Sequence, residues 1–246
     1  MALSEFFVRY LQLRDELSAE DLARLRAIRT TIADFDPGAV IIPSEVPLKR
    51  SCMMLRGFAG RVHVVPTRRQ GSLQEVITAL HVPGDFVDLH GFVLTGLEHE
   101  VRAYGPAQVE FVDHDELRDI TERFPHLTRL LWMSTAIDAA IHRQWLVAAG
   151  SLRSTAHLAH LLCEIYARLA SVGAAHDGRM TFPLLQRQLA QALGYSSIHI
   201  NRAVRELRDR SLLTWNGVEV HLRDLASLQA LAQFDPTYLD AERQAR

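Results

Sequence analysis

The sequence predicts an α+β protein in which an N-terminal antiparallel β-roll or jelly roll with flanking helices precedes a long dimerisation helix and a C-terminal winged helix-turn-helix. Three observations predict this order. Short β-prone runs separated by turns fill residues 29–113, unbroken helical periodicity fills 125–149, and two short amphipathic helices precede an Asn-Gly hairpin near the C-terminus. The predicted domains are 1–122 for the β-roll with its helices, 123–150 for the long helix and its hinge, and 151–246 for the winged helix-turn-helix.

Length and composition allow two packed domains. The chain has 246 residues, of which 48% are hydrophobic, and a formal net charge of −2. Its N-terminus is too charged for a secretory signal, and no apolar run reaches the roughly 18 residues that a membrane span needs. We therefore expect a cytoplasmic protein with no membrane partner. Cys52 and Cys163 lie far apart in apolar stretches and are predicted to be buried free thiols.

Two helices are predicted ahead of the β-prone region. Apolar residues at helical spacing, among them Phe6 and Tyr10, predict the first over about Leu3 to Leu13. Ser18 can cap the second helix, whose first turn is acidic. The buried stripe of that second helix is predicted to be Leu22, Leu25 and Ile28.

The region from Arg29 to Asp113 predicts about eight short strands, spaced near ten residues apart, as in a β-sandwich, jelly roll or β-roll. Turn residues such as Gly57, Pro83-Gly84 and Gly105-Pro106 separate the runs. No helix of useful length fits here, which argues against a parallel α/β sheet. The runs are TTIADF, AVIIPS, CMMLRG, GRVHVVPT, LQEVITALHV, DFVDLHGFVL, EVRAYG and AQVEFVD.

A long helix is predicted next. Pro125 suits its first position, and the pattern continues to about Ala149. Its apolar positions recur at steps of three and four, as in a coiled coil. The helix could pack on its own domain as a core element, but its length of roughly 37 Å favours pairing with a second chain. The predicted dimer contacts are Leu127, Leu130, Ser134, Ile137, Ile141 and Trp145.

Gly150 interrupts the helical pattern and is the predicted hinge between the two halves. A strongly apolar helix then spans about Thr155 to Leu169, and Gly173 to Gly178 forms a loop. A shorter amphipathic helix covers Leu184 to Leu193.

The segment that begins at Gly194 completes a helix-turn-helix. Gly194 permits a left-handed helix end, and the next helix is predicted to bury Ile200, Val204 and Leu207. The hairpin that follows, with Asn216-Gly217 at its turn, adds a wing. A last helix from Asp224 to Ala232 closes the domain.

The opposite face of the second helix predicts contact with DNA. In the major groove, Arg can bind guanine O6 and N7 and Asn can bind adenine N6 and N7, while hydroxyl groups at the helix N-terminus suit phosphates. These arginines could instead be a solvated face paired with Glu206 and Asp209, but the preceding helix, the turn and the wing favour DNA. The predicted DNA-binding residues are Ser196, Ser197, Ile198, His199, Asn201, Arg202 and Arg205.

The order of β-roll, long helix, hinge and winged helix-turn-helix resembles the CRP/FNR family of bacterial transcription regulators over nearly the whole chain. The segment that resembles the family most specifically is LAQALGYSSIHINRAVRELRDRSLL at 189–213. The β-roll region also resembles the family, through Gly57, Gly60 and VPGDF at 82–86. The resemblance implies a sequence-specific regulator that binds palindromic operators as a homodimer, with RNA polymerase as a further partner. It also implies that Arg202 contacts a base or a phosphate.

Two departures from the family pattern bear on specificity and on the effector. Ile198 stands where family members often carry a Glu that reads cytosine; Ile can contact only a thymine methyl, which predicts a different half-site. Val87-Asp88-Leu89 replaces the usual Gly-Glu-Leu, and Leu97 and Glu98 lie near the positions of the Arg-Ser pair that grips the cyclic phosphate. An acidic side chain there would repel a phosphate, so we expect no cyclic-nucleotide binding.

Other signal inputs stay open. No cysteine precedes Cys52, which argues against an iron–sulfur cluster, and no cofactor is predicted. A haem or an unidentified small ligand could still gate the protein, and a partner protein could supply the signal instead. The candidate axial ligands of a haem are His63, His81, His90 and His99.

A cupin-type metalloenzyme is the enzymatic alternative. The usual His-x-His spacing is absent around His63, and strand alternation predicts that His99 points away from both neighbouring acids. His157 and His160 could chelate a metal from one helix face, but no third ligand is evident. Because no GxSxG, HExxH or P-loop motif occurs, we expect a protein that is not an enzyme.

Overall fold

The computed structural model describes residues 5–67 and 71–243 and begins with two short helices, α1 (Glu5–Gln12) and α2 (Ala19–Ala27). The Ser18 hydroxyl accepts the backbone N–H of Asp21, whose carboxylate accepts the N–H of Ser18. This capping box satisfies two donors and fixes where α2 begins. The predicted first helix is confirmed from Glu5 onward and ends before Leu13, whereas Leu3 lies outside the described residues.

A five-stranded antiparallel sheet follows, and it confirms the predicted β-roll class. Strands β1, β5, β3 and β4 lie side by side in that order, and β2 also pairs with β5. Each neighbouring pair runs antiparallel. The strands are β1 (Thr30–Phe35), β2 (Val40–Ile42), β3 (Arg50–Pro66), β4 (Leu73–His81) and β5 (Glu100–Asp113).

The eight predicted runs form five strands because two glycine turns bend strands instead of ending them. Gly57 lies inside β3 and Gly105 inside β5, both with positive φ, and the β3–β5 register shifts beside Gly57. A Cβ at Gly57 would clash with the Pro106 carbonyl, so the two bends pack closely together. The run after Asp85 is not a strand: it forms a loop and a 3₁₀ turn at Leu89–Phe92.

Two further helices leave the sheet, α3 (His114–Arg123) and the 27-residue α4 (Pro125–Ser151). The predicted dimer contacts of α4 face inward, which corrects that prediction. Five of them are at most 8% exposed within a single protomer, because they pack on the protomer's own core. Trp145 also packs against this core and donates its indole N–H to Glu164 at 3.0 Å. The five buried residues are Leu127, Leu130, Ser134, Ile137 and Ile141.

The opposite side of α4 carries a second row at steps of four and three, which we call the outer face. Trp132 is 73% exposed and Leu146 is 75% exposed. Both are large apolar side chains at the surface of a helix whose other side is fully packed. The outer face consists of Trp132, Ala136, Ala139, Arg143 and Leu146, all exposed.

The residue predicted as a hinge lies inside a helix, and the break between helices comes two residues later. Gly150 is helical, because α4 continues through it and the Leu152 N–H still bonds to the Ala148 carbonyl at 2.9 Å. Glycine lowers helix stability without ending a helix when its neighbours continue the hydrogen-bond ladder. The chain leaves helical geometry at Leu152 and Arg153, before α5 (Ser154–Ser171) begins.

The C-terminal part is a winged helix-turn-helix around α5, as predicted. Its hairpin of β7 (Leu213–Asn216) and β8 (Glu219–Leu222) is joined by a third strand, β6 (Arg179–Thr181), which directly follows the predicted loop and was not predicted. Both cysteines are buried free thiols, as expected. The helices of this part are α6 (Gln186–Leu193), α7 (Ser197–Asp209) and α8 (Leu225–Ala232).

Arg168 of α5 joins this domain to the β-roll. Its guanidinium, 8% exposed, forms an ion pair with Asp85 in the loop after β4. It also donates to the Leu80 carbonyl at 2.9 Å and to Glu164 at 2.9 Å. Burial disfavours its charge, but Asp85 and Glu164 raise the pKa of Arg168 above its usual value, so the guanidinium stays charged.

Replacing Arg168 with Met should lower the free energy of unfolding by about 3–5 kcal/mol, because two carboxylates would lose their buried cation. Chemical denaturation of the full chain measures this loss. Arg9→Met, at an exposed position of α1, is the control and should change stability by no more than about 0.5 kcal/mol. Equal losses in the two variants would contradict the assigned role of Arg168.

Candidate nucleic-acid interface

The turn between α6 and α7 has the geometry of a helix-turn-helix. Gly194 ends α6 in the left-handed region, with φ 73°, a backbone conformation that favours glycine. Ser196 caps α7, and its hydroxyl lies 2.8 Å from Nδ1 of His199. The Tyr195 hydroxyl donates to the Leu152 carbonyl at 3.2 Å, which ties the turn to the end of α4.

The predicted inward face of α7 is confirmed. Ile200 and Leu207 are fully buried, and Val204 is 3% exposed. They pack in the common core that also includes Leu158 and Leu162 of α5. Because these apolar side chains fix the rotation of α7 about its axis, the polar side of the helix must face outward.

The predicted DNA-binding residues all lie on the exposed side of α7 or at its N-terminus. Ile198 is 64% exposed, an unusual position for a large apolar side chain. Asn201 donates to the Ser197 carbonyl at 3.0 Å, and its side-chain oxygen stays at the surface. The structure therefore brings together Ser196, Ser197, Ile198, His199, Asn201, Arg202 and Arg205 as one exposed surface, the α7 outer surface.

The arginines of α7 are not a set of paired surface charges. Glu206 accepts from Thr155 at 2.7 Å and pairs with Arg210 at 3.6 Å. Arg208 donates to the Trp215 carbonyl of the wing. Arg202 and Arg205 make no ion pair or hydrogen bond within the described part of the chain. Two cations thus remain available for an outside partner.

The wing supports α7 from the side. Trp215 packs edge-on against buried Phe182 at 5.5 Å between ring centroids and donates its indole N–H to the Gly217 carbonyl at 3.0 Å. Gly217 has a positive φ of 58°, but Asn216 ends β7 and pairs with Glu219, so the two turn residues are Gly217 and Val218 and not the predicted Asn216 and Gly217. The hairpin tip, including Val218 at 47% exposure, projects from the domain beside α7.

The structure brings together three of the four histidines that the sequence offers as haem ligands. His63, His90 and His99 line one cavity between β3 and α4, with ring centroids of His63 and His99 5.5 Å apart. Burial lowers the pKa of His90 to about 4 and also lowers the pKa of His99, which favours neutral rings. His81 lies elsewhere, 3.8 Å from Asp85, so the four candidate haem ligands do not form one group.

Strand alternation gave the wrong position for His99. Glu98 and His99 precede β5, which begins at Glu100, so the alternation rule does not apply to them. Nδ1 of His99 consequently lies 3.3 Å from the Glu98 carboxylate. The other pair, His157 and His160, is buried in the C-terminal core, and no third ligand joins it among the described residues.

Comparisons with known proteins agree with this geometry. The family model of the Crp-like helix-turn-helix domain matches residues 156–231. The transcriptional activator protein anr of Pseudomonas aeruginosa is 24% identical over 214 residues, which cover 82% of this chain and 86% of the relative.

Solved structures show the same fold over most of the chain. FixK2 from Bradyrhizobium japonicum superposes with a TM-score of 0.72 at 19% identity, covering 83% of this chain and 98% of that one. A putative cAMP-binding regulatory protein from Silicibacter pomeroyi gives a TM-score of 0.61 at 15% identity, covering 94% and 100%. At these identities, the likeness concerns the fold alone.

Leu207→Ala should lower the free energy of unfolding by about 2–5 kcal/mol, because the side chain is fully buried beneath α7. Arg205→Ala, two residues away on the exposed side, should change it by no more than about 0.5 kcal/mol. Urea denaturation of both variants measures the difference. A large loss for Arg205→Ala, or none for Leu207→Ala, would show that α7 is rotated differently about its axis.

Proposed function

The chain belongs to the CRP/FNR family of DNA-binding transcription regulators, and we propose that it binds palindromic operators as a homodimer, with the α7 outer surface reading bases in the major groove. The observation that carries this proposal is the pair of cations Arg202 and Arg205, which have no partner among the described residues and lie beside Asn201 on a helix whose other side is buried in the core. In a two-fold dimer, the two α7 helices should stand about 34 Å apart, one turn of DNA.

Local geometry supports this proposal more than bulk charge does. The stretch 151–246 has eleven Arg against nine acidic residues, so its net charge is small. The phosphate contacts therefore come from the N-terminus of α7, where Ser196 and Ser197 lie at the positive end of the helix dipole. Ile198 offers an apolar contact to a thymine methyl.

The outer face of α4 is the proposed dimer contact. Its five residues follow the steps of a coiled coil, and the two alanines would let a second α4 approach closely. Burying the exposed Trp132 and Leu146 would remove large apolar surfaces from water. The inward row that includes Leu130 and Ile137 cannot serve, since it already lies in the protomer's core.

A cyclic nucleotide is not the proposed effector. Arg102, the cation at the start of β5, is held by the carboxylates of Glu75 and Glu100. The Glu98 carboxylate lies at the cavity between β3 and α4, where it would repel a phosphate. The proposed regulator acts by binding and not by catalysis. We place it in the cytoplasm, with RNA polymerase as a proposed partner at the promoter. Among the described residues, no helix is long and apolar enough to cross a bilayer.

Arg202→Ala should weaken binding to the preferred operator by roughly 1–3 kcal/mol, or about 5- to 150-fold. Sequences selected from a random duplex pool define the operator, and fluorescence anisotropy at fixed salt measures the affinity. Arg26→Ala on α2 makes the same change of charge at an exposed site of the other domain and should leave affinity unchanged. Equal affinities for all three proteins would remove Arg202 from the interface.

Trp132→Glu should convert the dimer to monomers, because pairing would bury an unpaired charge in the interface. The side chain is 73% exposed in the protomer, so the variant should fold normally. Sedimentation velocity measures the outcome, with Leu73→Glu, at 68% exposure on β4, as the control that should stay dimeric. A Trp132→Glu protein that sediments like the wild type would rule out the outer face as the contact.

A further inference from the structure

The cavity between β3 and α4 has a wall of metal-binding side chains. It has a volume of about 610 Å³, and His63, Glu98 and His99 each offer a ligand atom within 4.8 Å of the others. We propose that this cavity binds a divalent transition-metal ion of the zinc class through the ring nitrogens of His63 and His99 and the carboxylate of Glu98. Two histidines and one carboxylate are a recurrent ligand set for such ions.

The hydrogen bonding of His99 supports a ligand at this place. Its side chain is 3% exposed, and Nε2 has no hydrogen-bond partner among the described residues. A buried polar nitrogen without a partner is destabilising, and such atoms are rare in folded proteins. A bound cation would satisfy this nitrogen. The nearby Glu98 carboxylate, 3.3 Å from Nδ1, supplies negative charge on the same side of the cavity.

The ligand atoms need only modest movement. Tetrahedral zinc with ligands at about 2.1 Å places neighbouring ligand atoms roughly 3.4 Å apart. In the structure, the ligand atoms of the three residues all lie within 4.8 Å of one another. Glu98 can move its carboxylate closer to the two histidines, because its side chain is 72% exposed and the residue lies in the loop before β5. The His90 ring, with its centroid 5.9 Å from that of His99, borders the same space, where a fourth ligand position would stay open.

Two side chains near the proposed metal site, Arg61 and His142, are already paired with other groups. Arg61 lines the cavity, and its charge would oppose a cation, but its guanidinium is paired with Asp138 of α4 at 2.9 Å. His142 is already engaged, because its Nδ1 lies 2.8 Å from the Asp138 carbonyl and its Nε2 lies 3.3 Å from Arg61. The metal-binding side is therefore the β-roll side, and α4 closes the cavity opposite it.

Titration of the full-length chain with zinc chloride, after dialysis against a chelator, tests the proposal without DNA. Isothermal calorimetry should show one high-affinity Zn²⁺ per chain. His63→Gln and Glu98→Gln should each weaken binding at least tenfold, and His99→Gln should abolish it. His176→Gln, at an exposed loop position, is the matched control and should bind like the wild type. Co²⁺ in place of Zn²⁺ should give ligand-field bands in the visible spectrum that the His99→Gln protein lacks.

Two outcomes would overturn the proposal. One is a wild type that binds no Zn²⁺ more tightly than the His99→Gln protein does. The other is unchanged affinity in both His63→Gln and Glu98→Gln, which alter less buried side chains and should leave the fold intact. Since no step of the measurement involves an operator, its result is independent of whether α7 reads DNA.

Discussion

The ion pair between Arg168 and Asp85 is the contact on which the arrangement of the two halves depends. It is buried, it links α5 to the loop after β4, and the guanidinium also donates to Glu164 and to the Leu80 carbonyl. Removing one partner of a buried ion pair leaves an uncompensated charge, so separating the two halves at this contact is costly. The side chain of Glu164 then extends the network to Trp145 of α4 and to Tyr238 near the C-terminus.

The same network is consistent with the orientation of α4, in which one side faces the core and the other faces outward. Because Trp145 is drawn onto Glu164, the row of Leu130, Ile137 and Ile141 faces the protomer's core. Trp132 and Leu146 then remain on the outside, where the proposed partner helix would pack. Any change in how a second chain sits on α4 would act on the C-terminal domain through Trp145 and on the β-roll through Arg61 and Asp138.

The cavity between β3 and α4 is lined by Arg61 and by its ion-pair partner Asp138. Its wall is built from β3, from the residues just before β5 and from α4, so anything bound there touches both the β-roll and the proposed dimer helix. The proposed metal site and the proposed reading surface are separate in space, yet α4 contacts elements of both halves. A ligand bound there would contact α4, which also packs on α5 of the C-terminal half.

What the sequence by itself determined was local. Gly194, the spacing of Ile200, Val204 and Leu207, and the hairpin after α7 each depend on neighbours within a few residues, and all were confirmed. Tertiary structure decided three things. It chose which of two similarly spaced rows on α4 was buried, since periodicity cannot tell a core from a partner helix. It reduced eight β-prone runs to five strands, because the bends at Gly57 and Gly105 joined two pairs of runs and the run from Asp85 became a loop and a 3₁₀ turn. It also brought His63 to Glu98 and His99, which are 35 or more residues away along the chain and meet only because β3 and β5 are paired.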